Sequence, residues 1–228
     1  MSIVEEVIGE NAPRRIALML LGFVIMAFGT ALSAHAGLGA TPISSLPYVL
    51  SEGLPLSFGA WVFIFNMFFV FAQIAMARGI TANIALQIPV LLLFSVLCDV
   101  AYWATWFTED DSYIDSWILT AASILVMGLG IALTLRGNVS LRPADGFVEA
   151  VAQRLGGDYG RYKLLLDTSV ILLACIASMC LFSELYGVRE GSIAAMLLTG
   201  PVERVISKHM DFASGWGDKD APERAGAE

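Results

Sequence analysis

Hydrophobic residues in this chain come in long runs, at about 14–35, 58–78, 82–107, 116–136, 162–184 and 191–208. Each run approaches the roughly 20 residues that carry a helix across hydrocarbon, so the pattern predicts six transmembrane helices. Two further stretches, about 38–52 and 139–155, are helix-compatible but too short or too polar to cross, and each opens on glycine or proline signals. The expected fold is an all-α membrane protein, one membrane domain over residues 1–210. Residues 211–228 are rich in Gly, Asp, Lys and Pro without apolar periodicity, which predicts a disordered tail.

The pattern repeats. A shift of 101 residues lays Met26, Gly29, Ala31 and Leu32 on Met127, Gly130, Ala132 and Leu133, then Pro42 on Pro143, then Gly59, Trp61 and Asn66 on Gly160, Tyr162 and Asp167. Gly79-Ile80 and Gly187-Val188 correspond after a small gap. Agreement of prolines and glycines at one fixed shift points to a duplication, with repeat one over 14–107 and repeat two over 116–208. Each unit then holds three crossings and one short broken or re-entrant hairpin. Three crossings place the second unit upside down, which gives two inverted three-helix repeats. That is an architecture of secondary transporters, in which half-helices from opposite faces meet near the bilayer midplane. Proline suits the first turn of such a half-helix, where its missing N–H costs nothing. The alternative for both short stretches is a loop lying on the membrane surface.

Composition agrees with the run pattern: 57% of the 228 residues are hydrophobic and 15% charged, and the mean hydropathy is +0.72. These values lie outside the soluble globular range. Arg14 and Arg15 precede a run ending in Ala34-His35-Ala36, which looks like a signal-peptidase site, but the run exceeds a signal h-region and the repeat needs this helix. With six spans, every Arg and Lys except Arg189 falls on the side of the N-terminus. Both termini are therefore expected in the cytoplasm. Glu109, Asp110, Asp111 and Asp115, among Trp103, Trp106, Tyr113 and Trp117, mark the opposite interface. Five spans would split the basic residues.

The stretches Ala36-Gly37-Leu38-Gly39 with Pro42, Leu56-Ser57-Phe58-Gly59, Arg142-Pro143-Ala144-Asp145-Gly146, and Gly191-Ser192-Ile193 with Gly200-Pro201 resemble the YczE-like family of bacterial membrane proteins, related to the YitT-like proteins. The resemblance covers about 14–206 and implies a multi-pass protein of the bacterial cytoplasmic (inner) membrane. It implies no substrate, since the family's biochemical function is unassigned. Family members carry Pro-x-Asp at both hairpins. This chain keeps it at Pro143 and Asp145 but has Pro42-Ile43-Ser44 at the first, so a symmetric two-carboxylate site is not expected.

Ionisable groups inside a membrane are costly, so each raises a functional question. Asp167 falls near mid-depth with Asn66 in the equivalent place; it reads either as a coupling carboxylate facing a cavity or as half of an ion pair with Arg161 or Lys163. Asp145 and Ser44 lie in the first turns of the two short helices, beside Pro143 and Pro42. For Asp145, capping of free N–H groups is the simpler role. Asp99 has no basic neighbour in sequence and is a site candidate. His35, at the end of the first helix, could titrate near neutrality or serve structurally. Glycines and small residues such as Gly22, Gly29, Gly128 and Gly130 suit close helix packing.

Cys98, Cys175, Cys180, His35 and His209 form no metal-ligand spacing, so neither metal nor cofactor is expected. No phosphate loop, nucleophile elbow or basic aromatic patch supports catalysis or nucleic-acid binding. Asn138-Val139-Ser140 falls on the cytoplasmic side and is discarded as a glycosylation site. The expected partners are the lipid bilayer and an unidentified small solute, and apolar helix surfaces suit lipid and a second copy of the chain alike. The reading that follows is a transporter or channel, proton- or cation-coupled if Asp167 faces the cavity. The alternative is a non-transporting membrane subunit that binds a ligand for, or helps assemble, a larger complex.

Overall fold

A computed structural model describes residues 12–108, 112–137, 139 and 142–210. Glu109, Asp110, Asp111, Asn138, Ser140 and residues 211–228 lie outside them, and with them the acidic run, the discarded glycosylation pattern and the tail. The described residues form eight α-helices: α1 (Ala12–His35), α2 (Pro42–Gly53), α3 (Phe58–Ala77), α4 (Ala82–Ala104), α5 (Tyr113–Gly137), α6 (Pro143–Leu155), α7 (Tyr159–Phe182) and α8 (Glu190–His209). A 3-10 turn, Trp106–Thr108, follows α4.

Five helices, α1, α3, α4, α5 and α7, are long and apolar enough to cross a membrane, so the chain is a multi-pass membrane-type helical protein. The eighth helix carries Glu190 at its start and Glu203, Arg204 and Lys208 in its last two turns, and falls short of that standard. Outward-facing Val96 and Val100 of α4 and Leu165, Leu172 and Ile176 of α7 give apolar flanks suited to lipid.

Local chemistry sets the boundaries. α2 and α6 begin at Pro42 and Pro143, four residues later than the apolar pattern suggested. The residues before them, Thr41 and Arg142, are extended at ψ 152° and 145°, as a residue preceding proline must be. The delay before α2 has a reason: Gly37 and Gly39 have φ of +70° and +97°, outside a right-handed helix and unfavourable to any side chain. This loop pairs with the segment before α8 and with the helix's first turn: the Ala40 N–H donates to Gly187 O at 3.1 Å and the Gly191 N–H to Leu38 O at 2.8 Å. Ser57, Thr81 and Asp158 cap α3, α4 and α7 by accepting the N–H groups of Ala60, Ile84 and Arg161.

The helix pairing crosses between the two halves of the chain. α1 lies along α5, α2 packs on α7, and α6 packs on α3, while α1 also meets α4 and α5 meets α8. Glycines allow the first of these contacts. A Cβ on Gly29 would stand 2.9 Å from Met127 N, and one on Gly130 would stand 2.7 Å from Met26 N. The two contacts are reciprocal, since residues 26 and 29 correspond to 127 and 130.

Candidate functional site

The first turns of α2 and α6 open into one cavity. It encloses about 60 Å³ of space for the centres of water-sized molecules, lined by Thr41, Ile43 and Ser44 on one side and by Arg142, Pro143, Ala144 and Asp145 on the other. The remaining wall comes from Phe23, Met26 and Thr30 of α1, Val62 and Asn66 of α3, Val90, Leu91 and Phe94 of α4, and Met127 of α5. Most of these residues lie inside their helices, while Val62 stands one turn from the start of α3. The volume suits about half a dozen waters or a solute with about as many non-hydrogen atoms.

Next to the cavity four charged side chains form a continuous network. Arg142 Nε donates to Asp145 Oδ2 at 2.5 Å. Lys163 Nζ lies 3.4 Å from Asp145 Oδ1 and 3.0 Å from Asp167 Oδ1, so it joins α6 to α7. Two cations answer two carboxylates, and burying such a set without that balance would cost several kcal/mol per ion. Asp145, expected to cap its own helix, instead spends its carboxylate on Arg142 and Lys163. No side chain caps α6.

These residues occupy equivalent places in the repeat. Arg142, Asp145, Lys163 and Asp167 stand 101 positions after Thr41, Ser44, Val62 and Asn66, and all four of the earlier residues line the cavity. Unit one offers neutral groups where unit two offers charged ones. Asn66 and Asp167 share the same 7% exposure, yet Asn66 faces the cavity while Asp167 is two ion pairs removed from it, through Lys163 and Asp145. The Asn66 amide donates to Val62 O, one turn back, at 2.9 Å. In the same register of α7, Lys163 donates forward to Asp167.

The α2 entrance is organised by hydroxyls. The Ser33 hydroxyl accepts from the Thr41 N–H at 3.2 Å, Thr41 and Ser44 share a short hydroxyl contact of 2.5 Å, and the Ser45 hydroxyl donates to Pro42 O. The α6 entrance is held by two glutamines. Gln73 of α3 and Gln87 of α4 exchange amide hydrogen bonds at 3.1 Å in both directions, and Gln73 Nε2 also donates to Pro143 O at 2.9 Å. Gly146 admits this pair, because a Cβ there would stand 2.7 Å from Gln73 Oε1.

Two sequence candidates lie elsewhere. Asp99 accepts the Gly59 N–H at 2.6 Å and the Ser57 hydroxyl at 2.7 Å, so it fastens the start of α3 to α4. His35 is stacked on Tyr102 with ring centroids 4.3 Å apart, its Nε2 3.0 Å from Tyr102 O. Both belong to the same end of the bundle as Glu52, whose carboxylate accepts the hydroxyls of Tyr102 and Tyr186.

Residues 13–208 match a family described as a family of unknown function, DUF6198. The chain belongs to that family. The match takes in all eight helices but for the end residues Ala12 and His209, and with them every residue of the cavity and the ion network. No curated protein and no solved structure matches the chain.

Sequence reading missed Gln73 and Gln87, which carry no charge and sit singly in apolar runs. The usable signal was an amide inside a membrane-length helix, which seeks a partner on a neighbouring helix. It weighed anion attraction at Arg142 and preferred topology as the explanation, whereas Arg142 lines the cavity.

Proposed function

We propose that this protein is a six-span transporter or channel for a small solute, built as two inverted units whose short helices re-enter the bilayer from opposite sides. One observation carries the reading: the first turns of α2 and α6 line one cavity together with residues of the long helices α1, α3, α4 and α5. Two short helices lying on opposite membrane surfaces would not bring their N-terminal ends to a common cavity. The reciprocal contacts of Gly29 with Met127 and Gly130 with Met26 support a two-fold relation between the units, as self-complementary contact requires. So does the exchange by which α2 packs on α7 and α6 on α3.

α8 is the sixth span in this reading. Its Glu203 turns inward and accepts from Ser207, while Arg136 of α5 donates to Ser207 O, so part of its polar end is answered within the bundle. Its Arg204 and Lys208 fall on the side where the other basic residues gather, the cytoplasmic side of a bacterial inner membrane. The YczE-like resemblance fits the same picture, because glycines of its motifs sit at close contacts: Gly39 abuts Ser192, Gly59 abuts Asp99, and Gly146, at the α6 entrance, abuts Gln73.

The test is solute release from sealed proteoliposomes loaded with a mixture of small metabolites. Selective loss of one solute class, absent from empty liposomes and abolished by Met26→Trp, which fills the cavity, supports the proposal. Retention of every solute by liposomes carrying the folded protein overturns it.

A further inference from the structure

We infer that the cavity binds a small monocarboxylate, with its carboxylate at the first turn of α2. The inference rests on the transport reading for its biological sense and on the cavity for its chemistry.

The charge sum comes first. Arg142 and Lys163 cancel Asp145 and Asp167 formally. Two uncapped helix starts also face the region, since neither Thr41 nor Arg142 makes a side-chain cap. Each helix N-terminus carries roughly half a positive charge, so the site is left with about one positive equivalent and favours a single negative charge.

The second observation is the repeat itself. At the first turn of α6 a carboxylate is already present, that of Asp145. At the equivalent first turn of α2 stands Ser44, and the space where a longer acidic side chain would reach is cavity. In the repeat's register, the unit-one position lacks the carboxylate that the unit-two position carries, and cavity lies beside it.

The third is the set of groups turned on that room. Arg142 uses Nε for Asp145 and its terminal nitrogens donate to no other described residue, so its fork is open to a second carboxylate. Asn66 is nine-tenths buried and lines the cavity, and its carboxamide oxygen meets no donor among the described residues. An acceptor without a donor on the cavity wall favours a solute with a hydroxyl or ammonium beside its carboxylate over one without. The walls, Phe23, Met26 and Phe94 among them, are apolar and exclude a second charge. The volume favours a solute of about half a dozen non-hydrogen atoms over a larger one.

The experiment is a melting series on the full chain purified in detergent, with sodium acetate, propionate, lactate and succinate, and with lactamide and sodium chloride as controls. A monocarboxylate at ten times its dissociation constant raises the melting temperature by roughly 3–6 °C. Lactate acts at lower concentration than propionate, and succinate and lactamide match sodium chloride. Ser44→Asp supplies the missing carboxylate from the protein, so it abolishes the response. Arg142→Lys keeps the charge, loses the fork and weakens the response about tenfold. No response to any monocarboxylate overturns the inference, as does a full response in Ser44→Asp. Release of another solute class from proteoliposomes, with no monocarboxylate response, would overturn this inference and leave the transport reading standing. A monocarboxylate response without release of any solute would do the reverse.

Discussion

The ammonium of Lys163 stands 3.4 Å from the carboxylate of Asp145, a residue of a different helix. The same ammonium is 3.0 Å from Asp167 on its own helix, so one lysine fixes the start of α6 against α7. Lys163→Met leaves two buried carboxylates to share Arg142. The side chains are 24% exposed for Lys163 and 10–12% for the two acids, so the loss is set at roughly 2–4 kcal/mol. Asp167→Asn alone costs about 1 kcal/mol, because Lys163 keeps Asp145. Together the two changes cost less than their sum, which a double-mutant cycle from denaturant melts reads directly. Strict additivity would show that Lys163 and Asp167 do not interact.

Gln73 spends the two N–H groups of its amide on Gln87 Oε1 and the Pro143 carbonyl and accepts from Gln87 in return. Gln73→Leu leaves the Gln87 amide and Pro143 O without their partner, at a cost of about 1–3 kcal/mol. Gln73→Leu with Gln87→Leu recovers part of it, because one orphaned group is then gone. The α6 start loosens in both variants, so amide exchange in the first turns of α6 rises by the factor the lost stability implies. Unchanged exchange at Gly146, whose N–H donates to Arg142 O at 2.9 Å, would show that the glutamine pair does not anchor α6.

The long helices were legible because a 20-residue apolar run has few other uses, and the ends of α1, α3 and α4 fall within about three residues of the pattern. The starts of α2 and α6 were legible from Pro42 and Pro143 as positions, although the glycine loop before α2 delayed the helix. Neutral polar groups were not legible. Gln73 and Gln87 are 14 residues apart on two helices, and nothing in either run says that they meet. The ion network was half legible: Lys163 lies one turn from Asp167 in sequence, but its reach to Asp145 depends on the packing of α6 on α7.

Asp99 gives the clearest separation of structure from site. Asp99→Ala removes the acceptor of the Gly59 N–H and the Ser57 hydroxyl and costs about 1–2 kcal/mol, the usual value of a lost helix-start partner. Asp99→Asn keeps one acceptor and loses about half as much. Neither change touches the cavity, so the melting shift produced by any bound solute stays the same in size. A vanished shift in Asp99→Asn would make Asp99 part of the binding route.

The α1–α5 crossing offers a test of the two-fold relation that needs no solute. In an open helix, Gly→Ala gains up to about 1 kcal/mol from propensity alone. At Gly200 of α8 an added Cβ meets nothing within 4 Å outside its chain neighbours, so only its junction with Pro201 offsets that gain, and Gly200→Ala changes the melting temperature little. Gly29 and Gly130 are different, because the new methyl meets backbone nitrogen at 2.9 Å on Met127 and at 2.7 Å on Met26. The backbones must separate, and each change costs about 1–3 kcal/mol. If residues 26–29 and 127–130 are related by two-fold exchange, the two losses agree within about 0.5 kcal/mol. The double variant then loses less than the sum, because one outward shift of α1 from α5 relieves both overlaps. Gly29→Ala and Gly130→Ala that differ by several kcal/mol would mean that the crossing is lopsided, and the inverted-repeat reading would lose its best packing support.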